Sequence, residues 1–161
     1  MRIGIIGAGV MVLRFLNSVK HKAQGISFPA ICARRKEQLD EFNQKHPDIQ
    51  AYTDLQKMLA RTDIDAVYIC TPVHTHSELT IQAARNGKHI LCEKPMALNV
   101  GECEKMIEQC HISGVVLQIG YMMRFHQIHK YIKQQIDSGS LGKIRFIRAE
   151  RTALLDFKSS D

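Results

Sequence analysis

The sequence predicts an α/β fold built on a doubly wound parallel sheet. Short apolar, β-branched runs alternate with helical patterns over the first ninety residues. A glycine-containing turn joins the first such run to the first helical pattern, and polar residues follow the ends of several runs. Parallel strands need crossover connections, usually helices, so this alternation indicates β-α units in one sheet.

Composition agrees with one ordinary globular domain. The chain has 161 residues, 45% of them hydrophobic and 24% charged, which argues against a disordered chain or a disulfide scaffold. The apolar runs are too short to cross a bilayer, and the start lacks the features of a secretory signal. Five cysteines without a C-x-x-C pair favour reduced thiols, and we expect a cytoplasmic protein without membrane contact.

The first strand is expected at residues 3–6 and the first helix at 10–20. Apolar residues of that helix recur with the spacing of one helix face: Met11, Val12, Phe15, Leu16 and Val19. A second strand at 26–33 precedes a helix at 36–45, which Pro47 ends by restricting the residue before it.

The next elements are predicted from their caps. Thr53 with Gln56, and Thr75 with Glu78, have the spacing of capping boxes that open helices. The third to fifth strands are expected at 66–70, 89–92 and 115–119, and Asn99 is expected to cap the helix before the last of these. A helix at 128–136 and a strand at 143–152 without an evident partner complete the prediction.

The glycine turn is the strongest functional signal. Gly7-Ala8-Gly9 follows a strand and opens a helix with Val10 and Met11, an arrangement in which backbone N–H groups bind a pyrophosphate in Rossmann folds. Val12 replaces the third glycine of the fingerprint, whose role is close packing of helix and strand. A strand-to-helix turn that binds no ligand is the alternative.

The residues after the second strand bear on the type of cofactor. An NAD site usually has an acidic residue here for the ribose 2′-hydroxyl, but this sequence has Ala33-Arg34-Arg35. Two guanidinium groups suit a 2′-phosphate, so NADP(H) is favoured over NAD(H). A solvated charged surface is the alternative for this cluster.

Two further groups of polar residues follow strands at the same edge. Cys70-Thr71-Pro72 and His76 follow the third predicted strand, and Glu93-Lys94 the fourth, where open α/β folds bind their ligands. Lys94 could hydrogen-bond a substrate hydroxyl or transfer a proton, or simply form an ion pair. Zinc bound by cysteines and histidines of these segments is a disfavoured alternative, and we expect no metal.

Three segments resemble the family of glucose-fructose oxidoreductase, inositol dehydrogenase and MocA: residues 3–9, 65–72 and 87–95. The resemblance implies a catalytic Lys94 that follows Glu93 and precedes a cis peptide bond to Pro95. Together with the residues identified above, it gives an expected cofactor site formed by Gly7, Ala8, Gly9, Val10, Met11, Ala33, Arg34, Arg35, Cys70, Thr71, Pro72, His76, Glu93, Lys94 and Arg124.

The resemblance further implies hydride transfer between a nicotinamide and a carbon of a sugar, cyclitol or diol. Members continue into a second α+β domain, which encloses the substrate and supports homo-oligomers. We therefore expect an NAD(P)-binding Rossmann domain at residues 1–122, and at 123–161 a connecting helix and only the first strand of that second domain. The isolated chain is then expected to be inactive.

Two other functions remain open at this stage. The domain could act without catalysis, as a dinucleotide sensor or a partner-binding module. Nucleic-acid binding is disfavoured, because the positive charges are scattered and the aromatic content is only 6%.

Overall fold

The computed structural model describes residues 1–20 and 23–150 of the chain. It divides the chain into two compact units, Met1–Tyr121 and Met122–Asp161. The first unit contains the sheet and the predicted site residues with the exception of Arg124.

The first unit alternates strands and helices, as the sequence predicts. Its strands are β1 (Arg2–Ile6), β2 (Ser27–Cys32), β3 (Gln50–Tyr52), β4 (Ala66–Ile69), β5 (His89–Cys92) and β6 (Leu117–Ile119). Its helices are α1 (Val10–Lys20), α2 (Lys36–Lys45), α3 (Leu55–Leu59), α4 (His76–Arg85) and α5 (Val100–Ile112), and a 3₁₀ turn at Val73–Thr75 precedes α4.

The six strands form one parallel sheet in the order β3-β2-β1-β4-β5-β6. The chain winds outward from β1 to β3, then returns to place β4 on the other side of β1. This reversal is the topological switch point of a doubly wound fold, and ligands bind outside the carboxyl ends of the strands there. The predicted fold class is therefore confirmed, and the site is expected beyond the ends of β1 and β4.

Alternating strand residues supply the two apolar cores of this unit. Val67 and Ile69 belong to the core that includes residues of α3, α4 and α5. Ala66 and Tyr68 belong to the other, which includes residues of α1 and α2. Successive side chains of a strand point to opposite faces, so β4 is covered on both sides.

The structure corrects three of the local predictions. Strand β3 was not predicted, because three residues are too few for a periodic pattern. Asp54 caps α3 by accepting from the N–H groups of Gln56 and Lys57, so the proposed Thr53 capping box is wrong. Thr75 lies at the start of α4 but makes no side-chain capping bond, because its hydroxyl donates to the carbonyl of Pro72.

The second unit contains a 3₁₀ turn at Met122–Phe125 and helix α6 (Gln127–Asp137). Residues 143–150 form no strand, so the prediction of a strand there is wrong for the described part. A strand needs hydrogen bonds to a neighbour, and no other segment of the described residues pairs with this one. The predicted strand's last two residues, 151 and 152, lie outside the described residues.

Among the helices in the described residues, none has both the length and the apolar character that a bilayer span requires.

Candidate functional site

The glycine turn between β1 and α1 has the geometry that its sequence predicts. Gly7 has φ +114°, in the region that favours glycine. Its N–H donates to the carbonyl of Cys32 over 2.8 Å, which holds the turn against the end of β2. A Cβ on Gly7 would lie 3.1 Å from the carbonyl oxygen of Cys70, so the end of β4 packs directly on this turn.

Gly9 lies in a different environment. A Cβ at this position would meet no heavy atom within 4 Å among the described residues. Gly9 directly precedes the first turn of α1, where helix N–H groups have no i−4 partner within the helix. That turn contains no acidic residue, so nothing on it opposes the approach of an anion.

Val12 replaces a glycine of the fingerprint without leaving a gap or a clash. Its side chain is fully buried, in the apolar core formed by α1, α2 and one face of the sheet. Val12 therefore does part of the packing between helix and sheet, and its N–H donates to the carbonyl of Gly9 over 3.0 Å. The substitution thus changes the contact between the helix and the sheet.

The predicted 2′-phosphate residues lie at the end of β2. The N–H of Ala33 donates to the carbonyl of Tyr52 over 3.1 Å, which fixes the backbone just before the two arginines. Arg34 and Arg35 are exposed, and neither guanidinium has a hydrogen-bonded or ionic partner within the described residues. Two unpaired cations thus lie beyond the strand whose last carbonyl is bonded to Gly7.

The residues after β4 form a compact loop. The Cys70 N–H donates to the carbonyl of Ile6 over 3.0 Å, and its thiol lies 3.3 Å from the same oxygen. The hydroxyls of Thr71 and Thr75 are 2.7 Å apart. Thr71 and Pro72 are therefore held beside the glycine turn, with Pro72 exposed.

His76 links this loop to the one after β5. The ring is almost fully buried, at 1% exposure. Its Nδ1 lies 2.9 Å from the carbonyl oxygen of Pro95, and its Nε2 lies 2.9 Å from that of Thr71. Both ring nitrogens face backbone carbonyls, so neither is free to contact a ligand. His76 therefore contributes to the site by holding the two loops in position.

Glu93 and Lys94 follow β5 at the same edge. The N–H of Lys94 donates to Oε2 of Glu93 over 3.2 Å, and the peptide bond between Lys94 and Pro95 is cis, as the resemblance implied. The Lys94 side chain is exposed, and within residues 1–20 and 23–150 its ammonium has no hydrogen-bonded partner. It is thus available to a ligand at this edge.

Tyr68, which was not among the predicted site residues, belongs to this group. Its hydroxyl donates to Oε1 of Glu93 over 2.9 Å. The sequence did contain a signal, because Tyr68 interrupts an otherwise aliphatic buried strand and a buried tyrosine hydroxyl normally has a hydrogen-bond partner.

The cysteines at this edge are poorly suited to nucleophilic or metal chemistry. Burial raises the pKa of the Cys70 thiol and of the Cys92 thiol to about 12 each, and the charge of Glu93 adds to both shifts. Burial likewise raises the pKa of Cys32 to about 11. The thiolate is the reactive form, so these groups stay protonated and inert. No cluster of three or more metal-ligating side chains occurs within the described part of the chain.

The sheet thus brings together all but one of the predicted residues, at the ends of β1, β2, β4 and β5. The exception is Arg124, which belongs to the second unit and lines a cavity of about 500 Å³ with Lys130 and Lys133. Its predicted contact with the cofactor stays a prediction.

The residues present fit a dinucleotide. The glycine turn leaves open space beside Gly9, the residue directly before the N-terminus of α1, which suits a pyrophosphate. The edge continues from unpaired arginines on one side of this turn to the loops of Thr71 and Lys94 on the other, as the strand order requires. A dinucleotide with a phosphate-bearing ribose at one end and a reactive ring at the other matches this edge. The phosphate would lie at the arginines and the ring at the loops of Thr71 and Lys94.

Comparisons with known proteins also indicate a dinucleotide-binding domain. Myo-inositol 2-dehydrogenase of Thermotoga maritima is 34% identical over 148 residues, which cover 92% of this chain and 44% of that protein. The NADP(+)-dependent scyllo-inositol 2-dehydrogenase of Bacillus subtilis is 36% identical over 145 residues, or 90% of this chain and 43% of that protein. This chain therefore spans less than half the length of these relatives.

A solved structure agrees at the level of the fold. Myo-inositol 2-dehydrogenase of Lactobacillus plantarum superposes with a TM-score of 0.79 at 32% identity, covering 89% of this chain and 43% of that one. Residues 1–121 also match the family described as "Oxidoreductase family, NAD-binding Rossmann fold". The chain belongs to this glucose-fructose oxidoreductase, inositol dehydrogenase and MocA family of oxidoreductases, and its first 121 residues are the family's NAD-binding Rossmann domain.

Proposed function

We propose that this chain is the cofactor-binding part of an NADP(H)-dependent oxidoreductase. The whole enzyme transfers hydride between the nicotinamide and a hydroxyl- or carbonyl-bearing carbon of a sugar, cyclitol or diol. The observation that carries the choice of NADP(H) is the pair of unpaired, exposed guanidiniums of Arg34 and Arg35 after β2.

The position of these arginines supports a 2′-phosphate contact. In Rossmann domains the residues after the second strand contact the adenosine ribose, and an acidic residue there selects the 2′-hydroxyl of NAD. Here Lys36 extends the basic run, and the first acidic residue, Glu37, already lies within the first turn of α2. Arginine binds phosphate through a planar, bidentate fork, so this segment favours the phosphorylated ribose.

The remaining contacts follow from the order of the strands. The N–H groups at the start of α1 would bind the pyrophosphate, and the loops of Thr71-Pro72 and Glu93-Lys94 would lie along the nicotinamide half. When bound, the nicotinamide supplies the hydride acceptor or donor. The protein orients the ring and excludes water from one side of it.

Lys94 is the proposed catalytic residue. Its exposed ammonium can donate a hydrogen bond to the substrate oxygen and transfer a proton as the carbinol and carbonyl forms interconvert. In an enzyme that joins this chain to a substrate-binding domain, Lys94→Met is expected to lower kcat by roughly 10²- to 10⁴-fold. Steady-state kinetics would measure this, with the exposed Lys57→Met as the control. A Lys94→Met enzyme with unchanged kcat would exclude this role.

Three further parts of the proposal concern the protein as a whole. The substrate site is formed largely by a second domain, so the 161 residues alone should give little turnover. The physiological form is a homo-oligomer, and its location is the cytoplasm. Fold alone does not name a substrate, and the proposed class rests on the family to which the chain belongs.

The test of the cofactor assignment is a calorimetric titration of the purified chain with NADPH and with NADH. We expect tighter binding of NADPH. Replacing Arg34 and Arg35 by alanine should weaken NADPH binding by roughly 10- to 100-fold for each charged hydrogen-bonding group lost, with little change for NADH. Lys45→Ala, which removes a charge at the other end of α2, serves as the control.

Each result of that titration has a definite meaning. Equal loss of NADPH and NADH affinity in the arginine variants would reject the 2′-phosphate contact. Tighter binding of NADH by the wild-type chain would assign the site to NAD instead.

A further inference from the structure

Tyr68 is unusual among the residues of β4, because it combines an apolar environment with one polar contact. Its side chain is 2% exposed and belongs to the core on the α1 face of the sheet. The ring stacks on Phe15 of α1, with centroids 4.0 Å apart and planes inclined by 26°. A phenylalanine would satisfy this packing equally well, so the hydroxyl calls for its own explanation.

The hydroxyl holds the carboxylate of Glu93. Oε1 of Glu93 accepts from Tyr68 over 2.9 Å, and Oε2 accepts from the N–H of Lys94 over 3.2 Å. Gly120 lies next to this carboxylate, and a Cβ there would make an ordinary van der Waals contact with Oε1 at 3.4 Å. The N–H of Gly120 donates to the carbonyl of Cys92 over 2.8 Å, so the backbone next to the carboxylate is also held in place.

The electrostatics keep Tyr68 a donor. Burial raises the pKa of its hydroxyl well above the ordinary range, and the hydrogen bond to Glu93 adds to the shift. Cys70 and Cys92, the other titratable groups that interact with Glu93, also stay neutral because burial raises the pKa of each to about 12. Within the described residues, the Glu93 carboxylate therefore accepts from two neutral donors, the Tyr68 hydroxyl and the Lys94 N–H.

We propose that Tyr68 is a positioning residue, which fixes the Glu93 carboxylate and through it the backbone of Lys94 at the edge where the cofactor binds. The contact with Phe15 connects the same side chain to α1, whose first turn faces the proposed pyrophosphate site. Tyr68 thus sets the two halves of the dinucleotide site relative to each other. The link from Tyr68 to cofactor affinity rests on the proposed function. The link from Tyr68 to the backbone of Lys94 does not.

The test compares Tyr68→Phe with Tyr52→Phe in the full chain. Tyr68→Phe keeps the stacking on Phe15 and removes only the donor to Glu93. Tyr52→Phe removes a hydroxyl from the same sheet, one that accepts from Arg61 over 3.3 Å and makes no contact with Glu93. A purely structural role of the Tyr68 ring would leave the local environment of Lys94 unchanged in both variants.

Two measurements separate the two links. In the ligand-free chain, exchange of the Lys94 amide with water, followed by NMR, should accelerate roughly fivefold in Tyr68→Phe and remain unchanged in Tyr52→Phe. The dissociation constant for NADPH should rise roughly tenfold in Tyr68→Phe alone.

An unchanged Lys94 exchange rate in Tyr68→Phe would overturn the positioning role, whatever the cofactor does. Faster exchange with an unchanged NADPH dissociation constant would overturn the link to the cofactor. If the wild-type chain bound neither NADPH nor NADH, the proposed function would fail, and the exchange rates alone would still decide whether Tyr68 positions Lys94.

Discussion

At the scale of single residues, the two glycines of the β1–α1 turn do different work. Gly7 is required by the fold, because its backbone is in the left-handed region and a Cβ there would lie only 3.1 Å from the carbonyl oxygen of Cys70. Gly9 has free space around it and no positive φ. The folded apo protein does not need a glycine at Gly9, so its place in the turn is better explained by a ligand.

This difference gives a paired prediction. Gly7→Ala should lower the free energy of unfolding by about 1 to 3 kcal/mol, through strain and the contact with Cys70. Gly9→Ala should change it by less than about 0.5 kcal/mol, while its methyl group fills the proposed pyrophosphate space and weakens NADPH binding. Denaturant unfolding and calorimetry measure the two effects. A Gly9→Ala chain that binds NADPH normally would contradict the placement of the pyrophosphate beside Gly9.

Most site residues were predictable from sequence because each follows a strand at a parallel sheet's functional edge. The glycine turn, Arg34-Arg35, Thr71-Pro72 and Glu93-Lys94 all have this position. The contacts of His76 and Tyr68 were not predictable, since they depend on distances between loops that are remote in the chain. His76 bonds to Pro95, nineteen residues away, and Tyr68 bonds to Glu93, twenty-five residues away.

At the scale of elements, the sequence predicted best where two independent signals coincide. Helices α1 and α2 begin and end at the predicted residues, and so does β5. Asn99 caps α5 as predicted, with its side chain accepting from the N–H of Glu102 over 3.0 Å. In each case an apolar period agrees with a cap, a turn or a proline at the boundary.

Elements that depend on a partner were predicted less well. Strand β3 has only three residues, and it exists because β2 offers its free edge. The segment 143–150 has the composition of a strand but no neighbour to pair with in the described residues, and it forms none. Strand propensity indicates that a segment's side chains suit a pleated sheet, but the segment forms a strand only where a neighbouring strand is present.

At the scale of the whole molecule, the two units differ in how they are stabilised. Among residues 1–20 and 23–150, every buried residue of the two apolar cores lies between Ile3 and Cys110, and the partly buried residues packed against them extend only to Ile119. In the second unit α6 has no buried residue, and it exposes apolar side chains such as Ile128 and Tyr131. The first unit therefore contains the elements of an independent fold, and residues 122–150 of the second do not.

This asymmetry predicts that a chain ending after Tyr121 folds on its own. Its thermal unfolding should stay cooperative, with a midpoint within roughly 4 °C of the full chain, because all the core residues in the described part of the chain lie within residues 1–121. Calorimetry and circular dichroism would measure this. A truncated chain that unfolds without cooperativity would show that residues 122–161 are part of the folding unit.

The same truncated chain tests the predicted role of Arg124, with Arg124→Ala in the full chain as the companion variant. If Arg124 contacts the cofactor as the resemblance implies, truncation and Arg124→Ala should weaken NADPH binding by the same factor. Unchanged NADPH affinity in both variants would remove Arg124 from the site.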